Sequence, residues 1–480
     1  MFAFVFTMLL GLVLIGTGYP IVFGLDRKAR LGEAERLVLA LLIGALLLQL
    51  AVSAVGHATL DLVSMAGVGL VFGLASLPGL KAIAWTNLRD GLGRLPRLEL
   101  ALLLTVCLIS FLQGLAPPND YDSLMYHLAV PKADLERGFI APDWERGLSN
   151  SFFPHLTTGL VRFSMTLAGE AAAQPTIGLL GLAAIAGTGL LAARMGATAR
   201  ISLWAALMFA ASRVIVWEIG TVEVDLALAA ATVSAMLVYL AARPKPAWRM
   251  LALFGLLLGI GFNTKYQGGL VAISFAPLVL LDLVRRRTSF WALALLGSVA
   301  LGVFVPHLLE NFLATGNPLF PLYHSRFYLG GAPFFDNYHL GYGIGRGFLD
   351  LLAEPWLIFA APMQYFDGMV LGSPYLMALL PGVFIAWRRV QSGAAVMSVL
   401  LAYYVLWFFM QSQQVRFLIP ILPMMATLAA LGSGFLWEAC GKNFWKRALT
   451  LLLLAGLFVN QALFVGIYAT LRLPVALGLM

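Results

Sequence analysis

Charged residues are scarce in this sequence. Only 11% of its 480 residues are Asp, Glu, Lys or Arg, whereas 61% are hydrophobic. Because a soluble domain is typically about one quarter charged, this composition excludes an ordinary soluble protein. The mean hydropathy of +0.89 and the succession of long apolar runs indicate a polytopic membrane protein.

Cysteine and histidine are also rare, and several nucleotide and metal motifs are missing. The two cysteines, Cys107 and Cys440, fall in or beside apolar runs and lack the spacing of metal ligands. We therefore interpret them as structural thiols. The six histidines form no HExxH pattern, and the chain has no Walker loop. Recognisable zinc-peptidase and P-loop signatures are thus absent.

Basic residues exceed acidic ones, giving a formal net charge of +8. They occur in short clusters between apolar runs, which is typical of the positive-inside rule and not of a nucleic-acid-binding face. The clusters lie in the ranges 27–36, 81–97, 194–200, 243–249, 285–287, 388–389 and 442–447. Since these loops alternate along the chain, we expect them inside and the long loops 117–173 and 309–371 outside.

A membrane-spanning helix needs about 20 apolar residues, and on this rule the chain contains about fourteen. The predicted segments lie near 2–24, 36–56, 62–80, 99–116, 174–193, 201–217, 223–242, 250–264, 268–284, 290–308, 372–387, 394–410, 417–436 and 447–468. The first run lacks the basic n-region of a secretory signal, so we expect it to remain as a span. The predicted fold class is an all-α polytopic membrane protein.

The first long loop concentrates charge, aromatic rings and proline. We expect an interfacial helix over 122–137, bent by Pro131, and a second helix over 152–168 that lies half-buried at the outer interface without spanning. If 152–168 did span the membrane, every later basic cluster would fall outside, which argues against that interpretation.

Asp120 and Asp122 are the first candidates for chemistry, because they stand together where an apolar segment emerges from the membrane. Such a pair could hold a divalent cation through its oxygens, or one carboxylate could act as a general base. The alternative is an Asp-rich turn after Pro117-Pro118 that only ends a helix.

Lys265 lies between two apolar runs that cannot form one helix. A single helix over 250–284 would be about 50 Å long, against a hydrocarbon core of about 30 Å. The chain must therefore break near 263–269, on the outer side, where Lys265 could bind an anionic group such as a lipid phosphate. Alternatively, its side chain snorkels to the headgroups.

Further ionisable residues fall at the same predicted surface. They are the carboxylates Glu218, Glu223 and Asp225, the arginines Arg326, Arg346 and Arg416, and the histidines His127 and His155. The arginines could contact phosphate or sugar, and the histidines could be ligands or interface residues. Carboxylates at a helix N-terminus and arginines at a membrane boundary are also common without any function.

Taken together, these stretches resemble the GT-C class of membrane glycosyltransferases, which includes protein mannosyltransferases and lipid A aminoarabinose transferases. The similar stretches, in order, are NDYDSLMYHLAVPKADLERG, FFPHL, GTVEVDLAL, LGIGFNTKYQG, GNPLFP and RFLIPILP. The resemblance covers residues 99 to about 436. It makes 1–98 a three-helix N-terminal extension and 99–470 the core.

The resemblance implies a sugar donor linked to polyprenyl phosphate and inverting transfer to a hydroxyl of a lipid, glycan or protein acceptor. The active site would lie at the periplasmic face of a bacterial inner membrane. Asp122 would open the helix that carries Tyr126 and would act as the base, with Asp120 or Asp225 assisting, while Lys265 and Arg416 would bind phosphate. No cofactor is implied beyond a possible divalent cation.

Two positions depart from the family pattern. Aminoarabinose transferases carry Lys before a Pro-Pro pair, where this chain has Phe153 followed by Pro154-His155. The frequent Asp-Glu of the first loop is Asp122-Ser123 here. The first departure argues against aminoarabinose as the sugar.

Two other functions are compatible with the composition. A transporter or flippase of a lipid-linked saccharide would show repeated halves and charges at mid-membrane, whereas no repeat is evident and the candidate charges lie at the outer boundary. A glycan polymerase or ligase would act mainly through loop arginines.

Overall fold

The computed structural model describes residues 2–142, 149–243, 246–323, 342–361 and 374–479. Within these ranges the chain forms nineteen α-helices and no β-strand. The first ten helices are α1 (Phe2–Leu25), α2 (Glu33–Gly56), α3 (Leu62–Ala82), α4 (Trp85–Gly93), α5 (Arg97–Leu112), α6 (Ala129–Arg137), α7 (Leu156–Ala168), α8 (Ala173–Arg194), α9 (Ala199–Ala210) and α10 (Arg213–Glu218).

The remaining helices are α11 (Asp225–Ala242), α12 (Trp248–Thr264), α13 (Gly268–Val284), α14 (Phe290–Thr315), α15 (Phe348–Ala360), α16 (Pro374–Arg389), α17 (Gly393–Met410), α18 (Leu422–Ala439) and α19 (Phe444–Ala476). A 3₁₀ segment, Val415–Ile421, leads directly into α18. The all-α prediction is thus confirmed.

Nine helices of the described ranges are long and apolar enough to cross a membrane. The predicted count of fourteen is therefore not confirmed. One predicted segment, near 201–217, is two helices, α9 and α10. They are separated at Ser212, whose ψ of 134° is extended and ends the helical path.

The N-terminal helices pack closely because glycines remove side chains from their contact. A Cβ atom on Gly44 of α2 would lie 2.0 Å from the backbone oxygen of Leu14 in α1, and one on Gly18 would lie 2.0 Å from that of Ala40. Small residues at membrane helix contacts allow this backbone approach. Helix α2 packs in turn on α7 and α8, so the N-terminal helices are joined to the rest of the bundle.

Helix α11 forms the centre of the bundle. Nearly all of its residues are buried, against α8, α12 and the 3₁₀ segment Val415–Ile421. A helix that is apolar on all sides is expected at such a central position. Its first residue, Asp225, is therefore held at a fixed place inside the protein.

The predicted inside loops meet at one end of the bundle. Arg194 pairs with Glu35 and donates to the carbonyl of Arg30, and Arg30 donates to the carbonyl of Ala242 at 2.7 Å. Arg200 pairs with Glu99 at 2.8 Å. These contacts bring four loops that are distant in sequence to the same end.

The first long loop and Lys265 belong to the other end. The Leu60 amide donates to the carbonyl of Gly138, which joins the α2–α3 turn to the end of α6. Lys265 and the cluster 285–287 flank opposite ends of α13, which at 1.5 Å per residue is about 25 Å long. The break predicted near 263–269 is present, between α12 and α13.

The predicted helix over 122–137 is two pieces. A π-helical turn spans Ser123–His127, and α6 follows from Ala129. Pro131 lies in the first turn of α6, where a missing N–H costs nothing, so it does not interrupt the helix. The second predicted helix is α7, and its 13 residues give about 20 Å, too short to span.

Candidate active site

A cavity of about 510 Å³ lies where the first loop meets the α12–α13 turn and the 3₁₀ segment before α18. Its charged and polar lining includes Asp122, Tyr126, His127, His155, Lys265, Tyr266, Gln267, Gln411 and Arg416. Its apolar lining includes Phe153, Pro154, Leu322 and Phe417. Six residues named as candidates from the sequence thus share one cavity.

Arg416 joins two carboxylates across nearly 300 residues of sequence. Its Nη2 contacts Asp122 Oδ2 at 2.5 Å and its Nη1 contacts Glu223 Oε1 at 3.1 Å. Its Nε donates to Gln414 Oε1 at 3.0 Å, which fixes the plane of the guanidinium. Burial opposes ionisation of Asp122, but Arg416 outweighs it and holds the pKa of this carboxyl below its usual range. Asp122 is therefore ionised at neutral pH.

Lys265 is the second cation of the cavity. Its Nζ contacts Asp225 Oδ1 at 2.8 Å and lies 4.1 Å from the centroid of the Phe417 ring, a cation–π distance. Asp225 is fully buried, and within the described part of the chain its other oxygen has no hydrogen-bond partner. Lys265 extends from the break between α12 and α13.

Two further acids lie behind Arg416. Burial raises the pKa of Glu223 to about 8, against the opposing effect of Arg416, and Asp122 raises it further. Burial also raises the pKa of Glu218 well above its usual range, and this carboxyl accepts a hydrogen bond from the Leu226 amide at 2.8 Å. Arg416 thus contacts one carboxyl group that is ionised, Asp122, and one that tends to hold its proton, Glu223.

His127 and Tyr126 complete the wall next to Asp122. Burial lowers the pKa of His127 to about 3, so its ring is neutral and its 3.8 Å contact with Glu223 is not an ion pair. The Tyr126 ring meets the Phe153 ring edge-to-face, with 5.9 Å between centroids. Together these rings give the cavity an aromatic side.

Asp120 occupies a different position from Asp122. Its Oδ1 accepts a hydrogen bond from the Ser123 amide at 2.8 Å, at the start of the π-helical turn, and it does not line the cavity. The preceding loop is held by Arg472 of α19, which donates to the carbonyl of Pro117 at 3.0 Å and pairs with Asn119. A cation shared by Asp120 and Asp122 stays a prediction.

The second long loop contains two candidate arginines, Arg346 and Arg326. Arg346 donates to the carbonyls of Phe408 and Gln411, at 2.6 Å in the second case, and so supports the cavity wall without lining it. Arg326 lies outside the described residues.

Some lining residues were not among the sequence candidates. Tyr266 directly follows Lys265, and Gln267 donates to Gln411 at 2.9 Å across the cavity. Polar residues at the forced helix break were the available signal. Glu223 was seen only as part of an acidic turn, since pairing with Arg416 is not encoded locally.

Residues 154–309 match the sequence model of the dolichyl-phosphate-mannose-protein mannosyltransferase family. The fold is similar to that of ArnT from Cupriavidus metallidurans. The TM-score is 0.53 for the crystal structure bound to undecaprenyl phosphate and 0.52 for the apo state. Identity is 20% and 19%, and both alignments cover 79% of this chain and 76% of that chain. No curated protein sequence matches the chain.

A third structure, the oligosaccharyltransferase AglB from Archaeoglobus fulgidus, aligns at a TM-score of 0.48 and 14% identity. That alignment covers 78% of this chain and 56% of AglB. The sequence match is thus confined to residues 154–309, and the fold is ArnT-like. With its long apolar helices, the chain is an integral membrane protein.

Proposed function

We propose that the protein transfers a hexosyl or pentosyl group from a polyprenyl-phosphate donor to a hydroxyl of a lipid, glycan or protein acceptor, with inversion. The observation that carries this proposal is the cavity composition. Two cations, Lys265 and Arg416, and an ionised carboxylate, Asp122, share about 510 Å³ with an apolar wall.

The proposed chemistry uses these groups in three roles. Asp122 accepts the proton as the acceptor oxygen bonds to the anomeric carbon of the sugar. The bond between that carbon and the phosphate oxygen breaks, and the polyprenyl phosphate leaves with the electron pair. Lys265 and Arg416 stabilise the charge that develops on the phosphate, in a site where charges are poorly solvated.

Asp225 and Asp120 have supporting roles in this proposal. Asp225 holds the Lys265 ammonium at 2.8 Å, and Asp120 orders the turn that presents Asp122. His127, His155 and Tyr126 line the cavity and would contact the sugar. Arg346 would act through the Gln411 backbone, and Arg326 keeps its expected role at the second loop.

The lipid donor is supported by the neighbour with bound undecaprenyl phosphate and by Phe153, Leu322 and Phe417 in the wall. The cavity lies at the end of the bundle opposite the basic loops. By the positive-inside rule this end faces the periplasm of a bacterial inner membrane. We propose the same division as above, with 1–98 an extension and 99–470 the core.

The test is purified protein in lipid nanodiscs with synthetic polyprenyl-phosphate sugars and a pool of candidate acceptors. Mass spectrometry should detect a glycosylated acceptor together with released polyprenyl phosphate, and Asp122→Asn should abolish both. A donor moved intact across proteoliposomes, with no bond cleaved, would instead identify a flippase and overturn the proposal.

A further inference from the structure

A second cluster of ligating side chains adjoins the cavity at His155. One ligand atom from each of His155, His307 and Glu310 lies within 4.8 Å of the others. His155 Nε2 is 3.4 Å from Glu310 Oε2, and the two imidazole rings are 5.1 Å apart between centroids. Three potential ligands from two distant parts of the sequence thus converge at one point.

His307 presents a free nitrogen inside the protein. The residue is 3% exposed, and its Nδ1 has no hydrogen-bond partner among the residues that the structure describes. The Tyr266 hydroxyl and the Asn311 amide nitrogen both lie near the other ring nitrogen, His307 Nε2, at 3.2 Å and 3.3 Å. The tautomer with hydrogen on Nε2 leaves the Nδ1 lone pair for a metal.

The geometry points to a divalent transition metal, most simply Zn²⁺, bound by His155, His307 and Glu310. Ligands 2.0–2.1 Å from a tetrahedral ion are about 3.3 Å apart. The His155–Glu310 separation of 3.4 Å already fits this value. The other separations, at most 4.8 Å, need to close by about 1.5 Å or less. Two imidazoles and one carboxylate are a donor set that zinc favours over magnesium or calcium.

His57 links this site to the N-terminal helices. Its Nε2 lies 3.6 Å from Glu310 Oε1, the oxygen not turned to His155, and can orient the carboxylate. His57 caps the C-terminus of α2, His155 precedes α7, and His307 and Glu310 belong to α14. A bound ion would therefore fix three elements to one another and hold the Phe153-Pro154-His155 wall of the cavity. The zinc site shares His155 with the proposed sugar site, and this histidine would then bind the ion and not the sugar.

The experiment measures bound metal in the full-length protein. Purified protein is incubated with ZnCl₂, exchanged into metal-free buffer and analysed by inductively coupled plasma mass spectrometry. We expect roughly one zinc per chain, as in a closed protein site, and less than about a tenth of that in His307→Ala and Glu310→Gln. His127→Asn, which changes a buried histidine of the same cavity outside the cluster, should retain the ion.

The thermal unfolding of the wild-type protein provides a second measurement, which does not depend on how well the variants fold. ZnCl₂ should raise the Tm of the wild-type protein, and chelation should reverse the rise. The smaller change Glu310→Gln should remove the zinc-dependent rise while leaving a cooperative transition. If the loaded wild-type protein held zinc only at the background level, the proposal would be wrong. The contact between His155 and Glu310 would then be an ion pair without a metal. Undiminished zinc in His307→Ala would also overturn the proposal.

Discussion

Asp122 combines access to the cavity with a carboxyl group that stays ionised. Asn has the same size but cannot accept a proton, so Asp122→Asn should lower kcat by about 10²–10⁴-fold with donor binding largely kept. The measurement is steady-state transfer at saturating donor. Asp90→Asn, which changes an exposed residue of α4, is the matched control. Near wild-type kcat in a folded Asp122→Asn protein would show that another group is the base.

Lys265 should matter for the donor more than for the chemical step. Lys265→Ala removes a charged contact to phosphate, typically 1.5–3 kcal/mol, so the donor KM should rise by about 10–100-fold. Because this change strands buried Asp225, the double variant Lys265→Ala/Asp225→Asn should recover thermal stability but not donor affinity. Lys442→Ala, at an exposed loop of the opposite end, is the control. An unchanged donor KM would remove Lys265 from the phosphate site.

Glu223 should make stability depend on pH. Its folded-state pKa of about 8 lies above the ordinary 4.5, so between these values the folded state binds more protons than the unfolded state. Stability then falls as pH rises from about 4.5 to 8, by on the order of a few kcal/mol. Glu223→Gln should flatten this decline in Tm measured from pH 5 to 8.5, whereas Glu438→Gln on the exposed end of α18 should not. An identical decline in both variants would contradict the assignment.

At the level of helices, the lengths of the apolar runs predicted the helix positions well, whereas local interruptions of the helices were not predicted. The runs that became α1, α2, α3 and α8 were placed within a few residues, because a lipid-facing backbone must satisfy its hydrogen bonds within a helix. The break at Ser212 was missed, since its extended backbone is set by packing around it. Similarly, Pro131 predicts a bend in one helix, but the helix is interrupted before Pro131, at Leu128 after the π-helical turn.

The contact between α1 and α2 allows a direct test of helix packing. Gly44→Ala places a Cβ 2.0 Å from a backbone oxygen of α1, so we expect a loss of about 1–3 kcal/mol in stability. Gly73→Ala in α3, where nothing lies within 4 Å of the added Cβ, should be neutral or slightly stabilising through helix propensity. Differential scanning fluorimetry compares the two. Equal melting temperatures would show that the helices separate without cost.

For the whole molecule, the grouping of basic loops at one end of the bundle was predictable from the sequence, and the meeting of distant residues was not. The basic clusters predict which loops lie at one end of the bundle. The contacts of Arg30 with Ala242 and of Arg194 with Glu35 join such loops there. The pairing of Asp122 with Arg416 spans 294 positions, and no local pattern encodes such a pairing. The cluster of His155 with His307 was likewise hidden, because polar residues in α14 look isolated in the sequence.

Sidedness has its own test in labelling of single cysteines in intact cells. In a background without Cys107 and Cys440, Thr59→Cys lies beside the first long loop and should react with a membrane-impermeant maleimide from outside. Lys442→Cys lies at the basic end and should react only after permeabilisation. Lys442 is exposed and Thr59 is half-buried, so both positions can be reached from solvent. Labelling of both in intact cells would refute the orientation.

Arg416 contacts Asp122 and Glu223 at the same time, and this shared contact has a kinetic consequence. A carboxylate paired with a guanidinium is a poor proton acceptor, so Asp122 is a weak base before any substrate binds. An incoming phosphate would compete with Asp122 and Glu223 for the same guanidinium, and its binding would release Asp122. The lipid donor would then bind first and the acceptor second. Product-inhibition patterns of a compulsory-order reaction, with the donor binding first, are the signature of this release.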